Sequence, residues 1–270
     1  MTEATTHTPI SLTDLRAMKS RGEKIACLTV YDASFTRVLE AAGVDMFIVG
    51  DSLGMVLMGY DSTVPVTMDD MIHHAANVAR AGQRAYRVVD LPYQSYATAE
   101  QALDNARRLQ TEGGAHMVKL EGGTAKAAVV AHLVGQGIPV CGHIGLLPQS
   151  VTQPDGYRVQ GRDAATAQAI MDDARALQAA GAGLLVIECV PAALTARITA
   201  TLDIPAIGIG AGPDCDGQVL VLHDMLGITM GAQPKFVQDF LAESGSIRAA
   251  IETYVRAVKD GTYPQAQHCY

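Results

Sequence analysis

Hydrophobic residues recur along the chain in short blocks, each closed by a polar residue beside glycine or proline. Seven blocks have strand length: KIACLTVYD (24–32), DMFIVGDS (45–52), YRVVDLP (86–92), HMVKLEGG (116–123), PVCGHIG (139–145), LLVIECVP (184–191) and PAIGIGAG (205–212). A weaker eighth is GQVLVLHDMLG (217–227). They are rich in Val, Ile and Leu, as parallel strands covered on both faces should be. The segments between them read as helices. Residues 71–82 follow Thr67 and Asp70, which have the spacing of a capping box. Thr98 and Gln101 repeat that spacing before a helix ending near Gly113. Asp163 caps a helix through 180, with Ile170, Met171, Ala174 and Leu177 on one face and Gly181 as its stop. Two more helices are predicted at 234–245 and 246–261, the second with an apolar stripe of Ile247, Ile251, Tyr254, Val255 and Val258.

Strands alternating with helices imply parallel βαβ units. The fold class is therefore α/β: a (β/α)8 TIM barrel, one catalytic domain over residues 11–270 with C-terminal helices, preceded by a flexible N-terminal arm of residues 1–10. A chain of 270 residues is an ordinary length for such a barrel. An open doubly wound sheet is the alternative, weakened because no G-x-G-x-x-G follows the first strand.

Composition narrows the partners. Hydrophobic residues make up 49% and charged residues 18%, below the ~25% of an average soluble domain. So apolar a surface is expected to be covered by self-association. The net charge of −8, with no basic run, argues against nucleic acid, which demands a concentrated positive field. No apolar stretch reaches membrane-spanning length. The opening MTEATTHTPI lacks the charged-then-apolar pattern of a leader, so a cytoplasmic location is expected. Five cysteines, an odd number with no C-x-x-C pair, fit free thiols better than a disulfide framework or a zinc ribbon. Cys27, Cys141 and Cys189 sit in strand blocks and read as small buried hydrophobes.

Reactive groups of a barrel sit at the C-terminal ends of its strands. Those ends carry Asp32, Asp51, Asp90, Glu121, His143 and Glu188. Alternation puts Met117, Lys119 and Glu121 on one face and Val118 and Leu120 on the other, which aims Lys119 and Glu121 into the barrel mouth. The same parity pairs Val49 with Asp51, Val88 with Asp90 and Val186 with Glu188. Oxygen ligands on several strands suit a hard cation such as Mg2+, which takes one or two carboxylates plus waters. Asp51 and Asp90 are the best direct ligands; Glu121 binds directly or holds a metal water. His143 reads either as a metal ligand or as a neutral hydrogen-bond partner near the substrate. The adjacent His73 and His74 read as ordinary helix residues. The run G-I-G-A-G (208–212) either cradles a phosphate or allows close backbone packing.

Several segments together resemble the ketopantoate hydroxymethyltransferase family: YDASF (31–35), VGDSLGMV (49–56), GYDSTVPVT (59–67), DLPYQSY (90–96), MVKLEGG (117–123), PVCGHIGLLPQS (139–150), GYRVQGR (156–162), LLVIECVP (184–191), IGIGAGPDCDGQVLV (207–221), HDMLG (223–227) and PKF (234–236). They run in order from about residue 25 to 265. Departures fall at Tyr60, Tyr93, Leu147 and Asp155, none of them a strand-end carboxylate. The resemblance implies a Mg2+-dependent aldol-type transfer from 5,10-methylenetetrahydrofolate to 3-methyl-2-oxobutanoate, forming 2-dehydropantoate for pantothenate and coenzyme A synthesis. It also implies a homodecamer, with the helix at 246–259 as a candidate contact. It maps metal ligands to Asp51, Asp90 and Glu121, keto-acid contacts to Asp51, Ser52, Asp90 and Lys119, and the proton acceptor to Glu188. The acceptor carbon next to a ketone is a very weak acid, so a metal-stabilised enolate and a positioned base are the chemistry required. The alternative enzyme class is a Mg2+-dependent C–C lyase or mutase of the phosphoenolpyruvate mutase/isocitrate lyase type.

Overall fold

A computed structural model describes residues 8–151 and 158–270. In chain order it contains α1 (Leu12–Ser20), β1 (Ile25–Thr29), α2 (Ala33–Ala41), β2 (Met46–Val49), α3 (Leu53–Val56), α4 (Met68–Ala81), β3 (Tyr86–Asp90), α5 (Ala99–Thr111), β4 (Met117–Glu121), α6 (Ala127–Gly135), β5 (Val140–Gly145), α7 (Ala164–Ala179), β6 (Leu184–Glu188), α8 (Ala192–Thr201), β7 (Ala206–Ile209), β8 (Gly217–Leu220), α9 (Leu222–Met225), α10 (Leu241–Ser244) and α11 (Ile247–Lys259). The eight strands pair in sequence order, all parallel, and β1 closes on β8. All eight apolar blocks form strands, so the barrel is as expected. No helix among the described residues is long and apolar enough to cross a membrane.

Two apolar layers result. Alternate strand residues point out into the helix layer, while Ile25, Cys27, Met46, Val88, Met117 and Leu184 fill the barrel interior with their neighbours. Leu15 and Met18 of α1 close the bottom of that interior. The sequence carried a signal for α1 in Ser11 and Asp14, which form a reciprocal capping box. Part of the expected arm, residues 1–7, lies outside the described residues. Ile10 is already anchored, its N–H donating to Arg84 O at 2.8 Å and its side chain packing on the interior cluster.

The helix signals hold with two adjustments. Thr67 and Asp70 form the full capping box of α4. Thr98 accepts from Gln101 N, but the Gln101 carboxamide caps Ala97 N, one residue further back. Asp163 caps α7, and its four expected core residues are buried. The expected helix at 234–245 shrinks to α10. Phe240 N–H donates back to Met225 O, and the Asp239 carboxylate accepts from Leu241 N and Ala242 N, so the helix starts only there.

One connection departs from the repeating unit. Parallel strands usually need a crossover of a dozen or more residues. Strands β7 and β8 are joined by residues 210–216 with no helix. Glycine makes this possible. A Cβ at Gly208 would lie 2.6 Å from Cys215 Sγ, and one at Gly210, where φ is +60°, would lie 2.5 Å from the Phe236 ring. The 208–212 run is therefore a packing device.

Helix α11 completes the outer helix layer. Ala250, Ile251, Tyr254 and Val258 are buried against the barrel, and the Tyr254 hydroxyl approaches both Cys27 O (2.8 Å) and Gln218 O (2.9 Å) across the β1–β8 seam. The stripe expected to serve as a subunit contact is thus spent inside the chain, apart from the half-exposed Ile247. Tyr254→Phe leaves two buried carbonyls without that hydroxyl. It is expected to destabilise the barrel by about 1–3 kcal/mol, read as a lower urea midpoint, while the mouth of the barrel keeps its ligand binding.

Candidate active site

The barrel mouth opens into a cleft of about 650 Å³. Asp90 ends β3, Lys119 and Glu121 lie on β4, His143 on β5 and Glu188 ends β6. Strand register sets them side by side: Asp90 pairs with Lys119, and Glu121 with His143. All five line the cleft, as do Asp51 and Ser52.

Asp51 arrives by another route than parity. Val49 faces the helix layer and Ile48 the interior, so the expected sharing of an inward face by Val49 and Asp51 does not occur. Strand β2 ends at Val49 and the chain turns, with Leu53 N bonded to Gly50 O and Gly54 N to Asp51 O. That turn carries Asp51 over the mouth, where its N–H donates to Asp90 Oδ2 at 3.2 Å. Asp32 does not join the group. It caps α2, accepting from Ser34 N and Phe35 N.

The charges are buried and paired. Lys119 Nζ lies 2.7 Å from Asp90 Oδ1, both side chains almost fully buried. Burial works against the Lys119 charge, but Asp90, Asp51 and Glu121 outweigh it and hold the ammonium protonated above the usual lysine range. Burial, reinforced by Asp90, pushes the Asp51 carboxyl up to about 8, with Lys119 opposing. His143 sits between two carboxylates, Nδ1 3.5 Å from Glu121 Oε1 and Nε2 3.2 Å from Glu188 Oε2. Burial disfavours the imidazolium, yet Glu121 and Glu188 overcome it and raise the histidine to about 9. The sequence left His143 as a metal ligand or a neutral hydrogen-bond partner; with a carboxylate facing each ring nitrogen, its charged form is favoured instead.

Three further residues organise the site and were not singled out in advance. Gln149, in a turn after β5, gives its carboxamide to Asp51 Oδ2 (2.8 Å) and its backbone N–H to Glu121 Oε2 (3.0 Å). Tyr96 OH donates to Gln149 Oε1. Tyr31 OH meets Ser52 Oγ at 2.8 Å. Their sequence signal was their place in polar turns just past strand ends, inside segments that carry the family resemblance.

Asp51 and Asp90 are oxygen donors of the kind a hard cation selects. With all four carboxylates ionised, Asp51, Asp90, Glu121 and Glu188 exceed the two cations Lys119 and His143 by two negative charges, which a divalent ion balances. Among the described residues, no three His, Cys, Asp or Glu side chains form a preformed metal cluster. The three-carboxylate set of Asp51, Asp90 and Glu121 is thus not assembled around one point. Both Glu121 oxygens face protein donors, as do both Asp90 oxygens.

The family model described as ketopantoate hydroxymethyltransferase matches residues 9–266. The chain belongs to the ketopantoate hydroxymethyltransferase family. Similar curated relatives are the 3-methyl-2-oxobutanoate hydroxymethyltransferases of Nitrosococcus oceani, 56% identical with 97% of this chain and 99% of the relative covered, and of Thiobacillus denitrificans, 56% identical with 97% and 100% covered. The barrel is similar to a phosphoenolpyruvate phosphomutase from Streptomyces platensis (TM-score 0.61, 16% identity, covering 93% of this chain and 88% of that one). It is equally similar to a phosphonopyruvate hydrolase (TM-score 0.61, 13% identity, covering 95% and 92%). At such identities these likenesses speak for the fold alone.

The His143 arrangement can be checked directly. Because its pKa is raised, the imidazolium persists through neutrality and is lost only as pH climbs through about 9. In the metal-free protein its ring-proton NMR shift should titrate near that pH; a midpoint near the ordinary 6.5 contradicts the doubly paired geometry.

Proposed function

We propose that this chain transfers a hydroxymethyl group from 5,10-methylenetetrahydrofolate to 3-methyl-2-oxobutanoate, forming 2-dehydropantoate in the cytoplasmic synthesis of pantothenate. The supporting observation is one cleft that gathers a buried lysine, a histidine and four carboxylates at the strand ends, in a chain of this family.

Mg2+ would be held by Asp51 and Asp90, with Glu121 reaching it through a water. When bound it stabilises negative charge developing on the keto oxygen, worth several kcal/mol. The chain's own groups do the rest. Lys119 offsets the carboxylate of the keto acid. Ser52, fixed by Tyr31, orients it. Glu188 removes the proton from C3, its carboxylate aimed by His143 Nε2. Ile48, Val186 and Ile209 wall the cleft with apolar surface and keep water from the carbanion. The donor's methylene leaves both folate nitrogens by hydrolysis with one water, giving tetrahydrofolate and formaldehyde; the carbanion attacks the formaldehyde carbon, and its oxygen takes the proton held by Glu188 to become the hydroxymethyl group. A positioned base contributes roughly 10²–10⁴-fold.

Self-association belongs to the same reading, most simply as a homodecamer. The charged fraction is low, and Leu57, Met58, Tyr60, Val64, Ile228 and Met230 are exposed apolar residues, Met230 at 92%. Light scattering should return about ten times the 28.4 kDa chain mass. A monomer at micromolar concentration rejects that assembly.

The base assignment separates from folate chemistry. With Mg2+ and no folate, the protein should exchange the C3 hydrogen of 3-methyl-2-oxobutanoate for solvent deuterium, and a chelator should stop it. Glu188→Gln keeps shape and should lower exchange by at least ~100-fold while keto-acid binding persists. Exchange at the unaltered rate in that variant assigns the proton to another group.

A further inference from the structure

The hydrogen bonds around Gln149 have only one self-consistent direction. Glu121 N–H can only donate, and it points at the Tyr96 oxygen at 3.3 Å. With that acceptor position taken, the Tyr96 O–H turns to Gln149 Oε1. The Gln149 amide must then present its NH2 group on the opposite side, where Asp51 Oδ2 lies at 2.8 Å and Leu91 O at 3.0 Å. Both are pure acceptors, so a flipped amide would set oxygen against oxygen twice. The tyrosine is itself held, with Lys126 Nζ 4.9 Å above its ring and 3.4 Å from its carbonyl oxygen. Tyr96, Gln149 and Glu121 are all buried, so none of these bonds is replaced by water without cost.

The same glutamine joins two elements that no strand pairing connects. Asp51 rides on the turn after β2, whereas Glu121 is fixed on β4. Gln149 grips the first through its side chain and the second through its backbone N–H. Asp51 Oδ1 has no hydrogen-bond partner among the described residues, so anchoring Oδ2 decides which oxygen is left for a ligand.

We propose that Tyr96 and Gln149 act as one positioning unit that orients the Asp51 carboxylate toward a divalent cation. This rests on the metal role of Asp51 and Asp90 given above. Neither residue touches substrate; both act through Asp51. Removing outer partners of metal-binding groups costs about 10–100-fold in affinity or activity.

The test measures binding of Mg2+ alone by calorimetry, with thermal melting alongside. Gln149→Leu is expected to weaken Mg2+ binding by about 10-fold or more. Tyr96→Phe, which removes one hydroxyl and keeps the ring under Lys126, is expected to weaken it by a smaller factor. The double variant should bind no more weakly than Gln149→Leu, because the tyrosine acts only through the glutamine. Should Gln149→Leu fail to fold, Tyr96→Phe decides alone. Melting temperatures that fall while Mg2+ affinity stays within twofold of the unaltered protein would overturn the proposal, reducing both residues to structural ones. Multiplicative losses in the double variant would overturn the single-unit claim. Asp51→Asn is the reference. If it abolishes Mg2+ binding while Gln149→Leu and Tyr96→Phe bind normally, only the positioning proposal fails. If it binds Mg2+ normally, the metal assignment fails and takes the proposal with it.

Discussion

An ammonium group buried at the mouth of a barrel has to be matched by carboxylates, and the upper half of this molecule is arranged around that requirement. Lys119 lies on the inward face of β4, with apolar layers beneath it and helices behind. An unpaired charge there would be too costly to keep. Its 2.7 Å contact with Asp90, supported by Asp51 and Glu121, makes it tolerable. Counted with every carboxylate ionised, the compensation overshoots, four against two, and the cost shows in Asp51, whose carboxyl burial and Asp90 push up to about 8. That surplus gives a buried site an appetite for a divalent ion, whose charge in turn admits an acidic keto substrate.

Strand register turns the pairing into geometry. In a closed parallel barrel, neighbouring residues on adjacent strands are held by the ladder itself. Asp90 beside Lys119 and Glu121 beside His143 therefore need no loop to bring them together. The apolar lower layer, plugged by Leu15 and Met18, keeps the strands from shifting. The economy of the β7–β8 connection serves the same end. Seven residues in turns and bends, packed over glycines, replace a helix, while Tyr254 of α11 bridges the seam between the first and last strands.

What could be read from the chain alone had local causes. Apolar blocks gave eight strands, capping spacings gave α4 and α7, and period-two alternation aimed Lys119 and Glu121 inward. The same rule misled at Asp51, because alternation stops where the ladder stops, and β2 ends two residues earlier. Residues 234–245 have helical composition, yet Phe236 and Phe240 are drawn into the core and Tyr263 OH donates to Phe236 O, which tertiary packing alone decides. The stripe on α11 was visible, but not whether its own barrel or another subunit would cover it. Gln149 and Tyr96 were invisible as site residues. Each is an ordinary polar residue in a turn, and its meaning lies in partners 25 to 98 positions away.

These differences divide the site into two mechanical kinds. Asp90, Lys119, Glu121, His143 and Glu188 are borne by strands and inherit the rigidity of the sheet. Asp51 and Ser52 are borne by a turn whose backbone bonds are local, Leu53 N to Gly50 O and Gly54 N to Asp51 O. Such a turn would leave a carboxylate free to rotate, and ion binding would then have to supply the ordering. Three bonds from elsewhere remove that freedom: Gln149 to the Asp51 side chain, Asp90 Oδ2 to its N–H, and Tyr31 to Ser52. The groups that handle the proton sit on the rigid half, where Glu188 needs only His143 to aim it. The groups that gather the ion and the keto acid straddle both halves, and the long-range hydrogen bonds are found where the turn would otherwise be loose.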